Sequence, residues 1–290
     1  MRAADAVLLV ANLVYGTSYV AARVALDGFP PATLALVRLA LGAAVLVPLA
    51  WRRAPGPPAP GDRAKIFWMG VLGFAAAFAF GHLGIALSTA TNAALLIGVE
   101  PVALILLSPL LLGERLSRRE AVGAALVVAG GALVVLNGIP GVTRALLPHW
   151  RGDLLLVLSA IAYASYSLFG RDVLRRRDAA VVTAQSIVWG LVSMVPFAAA
   201  EIGRSGWPVP GRASVVAAIY LALAVTAFGY GAWNWGLQRV PAPRAAIFIN
   251  VQPVVGAALG VAVLGEPATA FTAAGAILVV GGLYLTVRSG

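Results

Sequence analysis

Apolar residues in this chain come in continuous runs rather than alternating with polar ones. The runs predict ten helices, at 5–25, 32–51, 65–87, 91–112, 119–137, 152–171, 180–200, 214–237, 243–264 and 268–287. Each is close to the ~20 residues that a bilayer core requires. Strict period-two alternation is missing, which argues against a membrane β-barrel. Breakers separate the runs: Pro30–Pro31, the stretch from Pro55 to Gly61, that from Gly138 to Pro148, and Pro208 to Gly211, with Pro241 and Pro243 before the ninth run. The first run could pass for a signal peptide. It carries Asn12, Tyr15 and Tyr19 and lacks a small-x-small cleavage site, so it reads as a first helix.

The pattern repeats. The segment from Ala93 to Gly138 aligns without a gap to that from Ala245 to Gly290, with twenty of forty-six positions identical. Pro101 meets Pro253, and Gly113–Glu114 meets Gly265–Glu266. At a slightly different offset, Tyr15, Arg23, Leu26, Gly42 and Pro48 meet Tyr163, Arg171, Leu174, Gly190 and Pro196. Spans one to five therefore match spans six to ten, giving repeats at 1–138 and 152–290. Five is odd, so the repeats are expected to cross the membrane in opposite directions. Such inverted duplication is the usual build of a secondary transporter working by alternating access.

Composition agrees with a membrane class: 61% hydrophobic residues, 11% charged and a mean hydropathy of +0.92. The net charge of +10 does not indicate nucleic acid, because the basic residues cluster between spans. With the N-terminus inside, fifteen fall on one side: Arg2, Arg52, Arg53, Arg63, Lys65, Arg115, Arg118, Arg119, Arg171, Arg175, Arg176, Arg177, Arg239, Arg244 and Arg288. The other side holds Arg144, Arg151, Arg204 and Arg212. The positive-inside rule then places both termini in the cytoplasm. No cysteine is present, so disulfides and thiolate metal sites are excluded.

Order and repetition of short motifs carry a resemblance that covers essentially the whole chain. An early helix holds the Tyr15–Gly16 pair, and span two opens Pro31-x7-Arg38. Gly113–Glu114 and Gly265–Glu266 close spans four and nine, each followed by a Gly-rich helix. The chain resembles the EamA-type drug/metabolite transporters, ten-helix proteins of two five-helix repeats. Tyr15 departs from the Trp that this family often has before the first-helix Gly. The resemblance implies export of small metabolites or drugs, often amino acids or related solutes.

Charges within a span are costly and need a reason. Glu100 is the acid nearest a span centre, and Pro101 after it removes a helix hydrogen bond and frees a carbonyl. It reads as a substrate-amine counter-ion or proton carrier, or else as a structural carboxylate paired with Arg38, or a buried neutral acid. Its repeat partner is Gln252. Arg38 could hold a substrate carboxylate through its guanidinium fork, or pack against carbonyls and Glu100; its partner is Ser186. Asn12, Tyr15, Tyr19 and Arg23 form one stripe on span one, repeated by Tyr163, Tyr166, Ser167 and Arg171 on span six. Such a stripe lines a cavity or bonds neighbouring helices, while Arg23 and Arg171 are expected to reach opposite surfaces. Span eight adds Tyr230, Asn234 and Gln238; His82 aligns with Asn234 and could couple transport to protons, or be a neutral interhelical histidine. Asn250 and Gln252 are two apart and face different sides, and Gln185 with Trp189 form a further pair. Expected substrate contacts are thus Tyr15, Tyr19, Arg38, His82, Glu100, Tyr163, Trp189, Tyr230, Asn234 and Asn250. Glu114 and Glu266 read as interfacial or helix-start residues. Gly256-x3-Gly260 and Gly123, Gly130 and Gly131 read as packing seams.

No G-x4-G-K-[ST], H-E-x-x-H or G-x-S-x-G occurs, and only His82 and His149 could offer imidazole. No cofactor, metal or nucleic-acid partner is expected; a small-molecule substrate, the bilayer and protons are. The leading reading is a transporter in the inner membrane of a prokaryote. A lipid flippase is the alternative, and an intramembrane enzyme is a third class with Glu100 alone to support it.

Overall fold

The computed structural model describes residues 3–53, 56, 59–103, 106, 117–137, 149–237, 239 and 248–287, with 137, 237, 286 and 287 in backbone only. Gly113–Glu114, Gln238 and parts of the fourth and ninth predicted spans lie outside them. Every regular element among the described residues is a helix: α1 (Ala3–Leu26), α2 (Pro31–Trp51), α3 (Asp62–Leu87), α4 (Ala90–Ala103), α5 (Arg118–Asn137), α6 (Trp150–Arg176), α7 (Ala179–Ser205), α8 (Arg212–Gly236), α9 (Val251–Leu264) and α10 (Ala270–Val287). Seven of these are long and apolar enough to cross a membrane; α4, α9 and α10 are apolar but shorter in their described parts. Large apolar side chains such as Phe197, Val263 and Ile277 face outward, as expected of a surface that meets lipid. The chain is a multi-pass membrane protein.

Local chemistry explains the helix ends. Pro31 opens α2, where its missing N–H costs nothing. Asp178 caps α7 through the Ala180 and Val181 amides. Ser117 and Glu120 form a capping box on α5, each accepting the other's backbone N–H, at 2.8 Å for Ser117 N–H and 3.2 Å for Glu120 N–H. Two helices are capped from a distance. Glu201 of α7 accepts from Ala32 and Thr33 N–H at the start of α2, and Glu266, just past α9, accepts from Ala90 and Thr91 N–H at the start of α4, both at 2.7 Å. Glu266 is therefore a helix-start residue for another helix rather than its own.

Two helices leave the α register midway. Residues Val71–Ala76 of α3 and Leu221–Gly229 of α8 form π turns. The repeat offset carries 71–76 onto 223–228, inside the second stretch.

Repeat-related contacts recur. The site of a Gly84 Cβ lies 2.8 Å from the Leu156 side chain, and Gly236 closes on Leu8 in the same way. Gly42 meets Thr226 at 2.9 Å as Gly190 meets Phe74 at 2.7 Å. Helices α5 and α10 meet backbone to backbone where Gly130 faces Gly275 O and Gly282 faces Gly123 O. Gly256 packs on Ala94 and Tyr19, and Gly260 on Thr91, whereas Gly131 has only ordinary contacts. The antiparallel α3–α6 pair is tied at both ends. Arg176 meets Asp62 at 2.8 Å and Lys65 meets Asp172 at 3.2 Å where α3 begins. At the other end a buried cluster forms: Asp153 accepts from Ser88 Oγ and from Asn92 Nδ2 (3.0 Å), and its second oxygen is 2.7 Å from His149 Nδ1.

Candidate functional site

Polar stripes on α1 and α9 meet first. Asn12 Nδ2 donates to Leu8 O at 2.8 Å, Gln252 Nε2 donates to Asn12 Oδ1 at 2.7 Å, and the Tyr19 hydroxyl faces Gln252 Oε1 at 3.5 Å. Beside them six rings from α1, α3, α6 and α8 form a continuous cluster: Tyr15, Phe74, Phe78, Tyr163, Tyr166 and Tyr230. Tyr230 donates to the Tyr163 hydroxyl at 2.9 Å, which links α8 to α6. Tyr15, Tyr19, Tyr163, Gln252 and Glu100 are only half-buried although they lie within helices.

Two charges border this cluster. Arg38 is buried; its Nε donates to Thr226 Oγ1 at 2.8 Å, and its guanidinium carbon lies 4.0 Å over the Phe78 ring. Glu100 and Arg38 lie within electrostatic range of the same three tyrosines, Tyr15, Tyr19 and Tyr163. They make no ion pair with each other, so the alternative of a fixed Arg38–Glu100 pair gives way to the Thr226 and Phe78 contacts. No hydrogen bond to the Glu100 carboxylate is present among the described residues. The carbonyl that Pro101 leaves without its usual partner, Ile97 O, accepts from Glu100 N at 2.9 Å, so the helix reabsorbs it in a tight turn.

His82 sits deeper on α3, stacked at a tilt on Phe78. Its Nδ1 lies 3.3 Å from Pro31 O, and a carbonyl can only accept, so this bond needs the proton on Nδ1. Nε2 is then a buried acceptor with no hydrogen-bond partner among the described residues. Asn234, at the matching position of α8, donates instead to Thr183 Oγ1 at 2.7 Å. The Tyr166 hydroxyl stands beside Asn234, Thr183 and Ser186. This neutral patch includes Ser186, the repeat counterpart of Arg38.

Not every expected residue comes to the cluster. Trp189 is 43% exposed and rests edge-on against Phe67 at the periphery, and Gln185 bonds Arg177 at 3.3 Å rather than lining the interior with it. Asn250 is half-buried just before α9. Arg23, half-buried near the end of α1, donates to Ile85 O at 3.4 Å. Conversely, Phe74, Phe78, Thr226 and Gln252 lie with this cluster. Gln252 stands out in the sequence as the repeat mate of Glu100, whereas nothing there singles out the other three.

Known proteins resemble the chain throughout. The EamA-like transporter family matches twice, over residues 2–136 and 150–288. A protein of Streptantibioticus cattleyicolor named "probable terminal-alkyne amino-acid exporter" is 27% identical over 97% of this chain and 92% of its own length. An Escherichia coli protein named "probable amino-acid metabolite efflux pump" is 27% identical over 99% of this chain and 96% of its own. A crystal structure of a protein 21% identical, covering 97% of this chain and 95% of that chain, superposes with a TM-score of 0.64 and shares the fold. With both halves matched by one family model, the chain belongs to the EamA-like transporter family.

Proposed function

We propose that the chain is a secondary transporter that exports amino acids or related small amphipathic solutes by alternating access. In this reading it has ten spans in two inverted repeats, both termini cytoplasmic, in a prokaryotic inner membrane. The observation that carries it is the convergence of one cation and one anion on a shared tyrosine cluster contributed by both repeats. A zwitterion presents the complementary pair. Arg38 would take the carboxylate, Glu100 the ammonium, and Tyr15, Tyr19, Tyr163 and Tyr230 the apolar body with their faces and hydroxyls. His82 and Asn234 stand behind the cluster in the two repeats, and Asn250 and Trp189 stand further out. The names of the relatives support export and amino-acid-like solutes.

Counterflow in proteoliposomes preloaded with amino acids, nucleosides or sugar phosphates tests the reading. Trans-stimulated uptake of amino acids is the expected result. No uptake by a folded protein, together with activity in a lipid-translocation assay, would replace it with the flippase reading. If Glu100 also carries the coupling proton, Glu100→Gln loses pH-dependent transport and keeps exchange; an unchanged pH profile removes Glu100 from that role.

A further inference from the structure

We propose that Thr226 is a positioning residue for substrate recognition, holding the Arg38 guanidinium so that its two terminal nitrogens face the site. The inference rests on the reading of Arg38 as the carboxylate-binding group. Thr226 is fully buried inside the π stretch of α8. A threonine hydroxyl in an ordinary α-helix returns to the carbonyl three or four residues back. Here Oγ1 donates to Leu221 O, five residues back, at 3.0 Å, a partner that the wider turn brings into line. Its single proton is thereby committed, and its lone pairs accept Arg38 Nε at 2.8 Å. With Nε engaged on Thr226 and one face covered by Phe78 at 4.0 Å, the guanidinium can neither spin about its stem nor tip. The remaining edge, Nη1 with Nη2, is the one that meets a carboxylate through two parallel bonds.

The repeat relation supplies an internal control. It carries Arg38 of the first repeat onto Ser186 of the second, and Thr226 of the second back onto Phe74 of the first. The cation and its hydroxyl partner are absent together, while the packing around them persists: Gly190 meets Phe74 as Gly42 meets Thr226. A threonine kept only for packing would have no reason to follow the arginine.

Thr226→Val keeps the branched shape against Gly42 and removes the hydroxyl, and Thr226→Ser keeps the hydroxyl. In proteoliposome counterflow with L-leucine and L-leucinamide, Thr226→Val should raise KM for leucine about tenfold, with maximal rate within about twofold. The amide should be unaffected and Thr226→Ser should behave as the parent. Equal losses for acid and amide, or identical behaviour of the two variants, would overturn the proposal. A substrate-free readout separates its failure from that of the underlying reading. The 15Nε–H signal of Arg38, identified by its loss in Arg38→Lys, should exchange slowly with solvent in the parent and in Thr226→Ser, and rapidly in Thr226→Val. Rapid exchange in the parent refutes positioning outright. Slow exchange there, with leucine and leucinamide handled alike by every variant, sustains positioning and refutes the carboxylate reading of Arg38.

Discussion

The seams α3–α6 and α1–α8 are exchanged by the repeat relation, each joining one helix of either repeat, yet different chemistry holds them. Near one end they agree: Gly84 takes Leu156 as Gly236 takes Leu8. At the opposite end they do not. Where Asp62–Arg176 and Lys65–Asp172 form ion pairs in the first seam, the second has Ser214, Gly28, Ala217 and Val24 at the matching positions. There Ser214 Oγ donates to Val24 O at 3.0 Å, and Gly28 packs on Ser214. Duplication has preserved the packing and let the electrostatics diverge. Two seams so differently fastened cannot part at equal cost. The α3–α6 pair is the better candidate for a fixed unit, and α1–α8 for one that separates.

Breaking the contrast starts at the buried cluster. Asp153→Ala strands Ser88, Asn92 and His149 and should cost about 3 kcal/mol, read as a fall in the unfolding midpoint in detergent; an unmoved midpoint would deny that this seam is held by its ends. Next is Gly152→Ala. The new methyl would lie 2.7 Å from the backbone of Gly84 and Leu87, which cannot rotate aside, so a loss of about 2 kcal/mol is expected. Gly236→Ala meets only the Leu8 side chain and should lose less; the opposite ranking would make the α1–α8 seam the tighter one. The smallest effect belongs to Lys65→Ala. Its pair with Asp172 is solvent-accessible, so the loss should be about 0.5 kcal/mol and vanish in high salt. A larger, salt-independent loss would give this exposed pair a weight the contrast denies it.

Much of the helical plan was legible because a bilayer reads only run length and polarity. The predicted 32–51 and 119–137 became Pro31–Trp51 and Arg118–Asn137. The sixth run was ended five residues too early. Its charged end stays helical because Asp172 and Arg176 reach Lys65 and Asp62 across the seam, and because cations suit a helix C-terminus. The Ser117-x-x-Glu120 box that starts α5 is a sequence signal the reading of the runs did not use. Site chemistry was legible where polarity violated its surroundings, as at Arg38, Glu100 and the tyrosine stripes. It was hidden where an ordinary core residue is recruited by a neighbour. Thr226 and Phe78 look like packing until Arg38 is seen between them, and a wide turn has no residue signature of its own. Spacing gives a face but not which neighbour that face meets, and Trp189 meets Phe67.

The wide turns in α3 and α8 bear on ancestry. A π turn amounts to one residue more than the α-helical count allows, and all that follows it is rotated about the helix axis relative to what precedes it. The same surplus sits at the same place in both halves, although the side chains there, Phe74 against Thr226, have since parted ways. The simplest history puts the irregularity in the ancestor that both halves share. The arginine-holding threonine would then be a later tenant of a backbone shape already inherited.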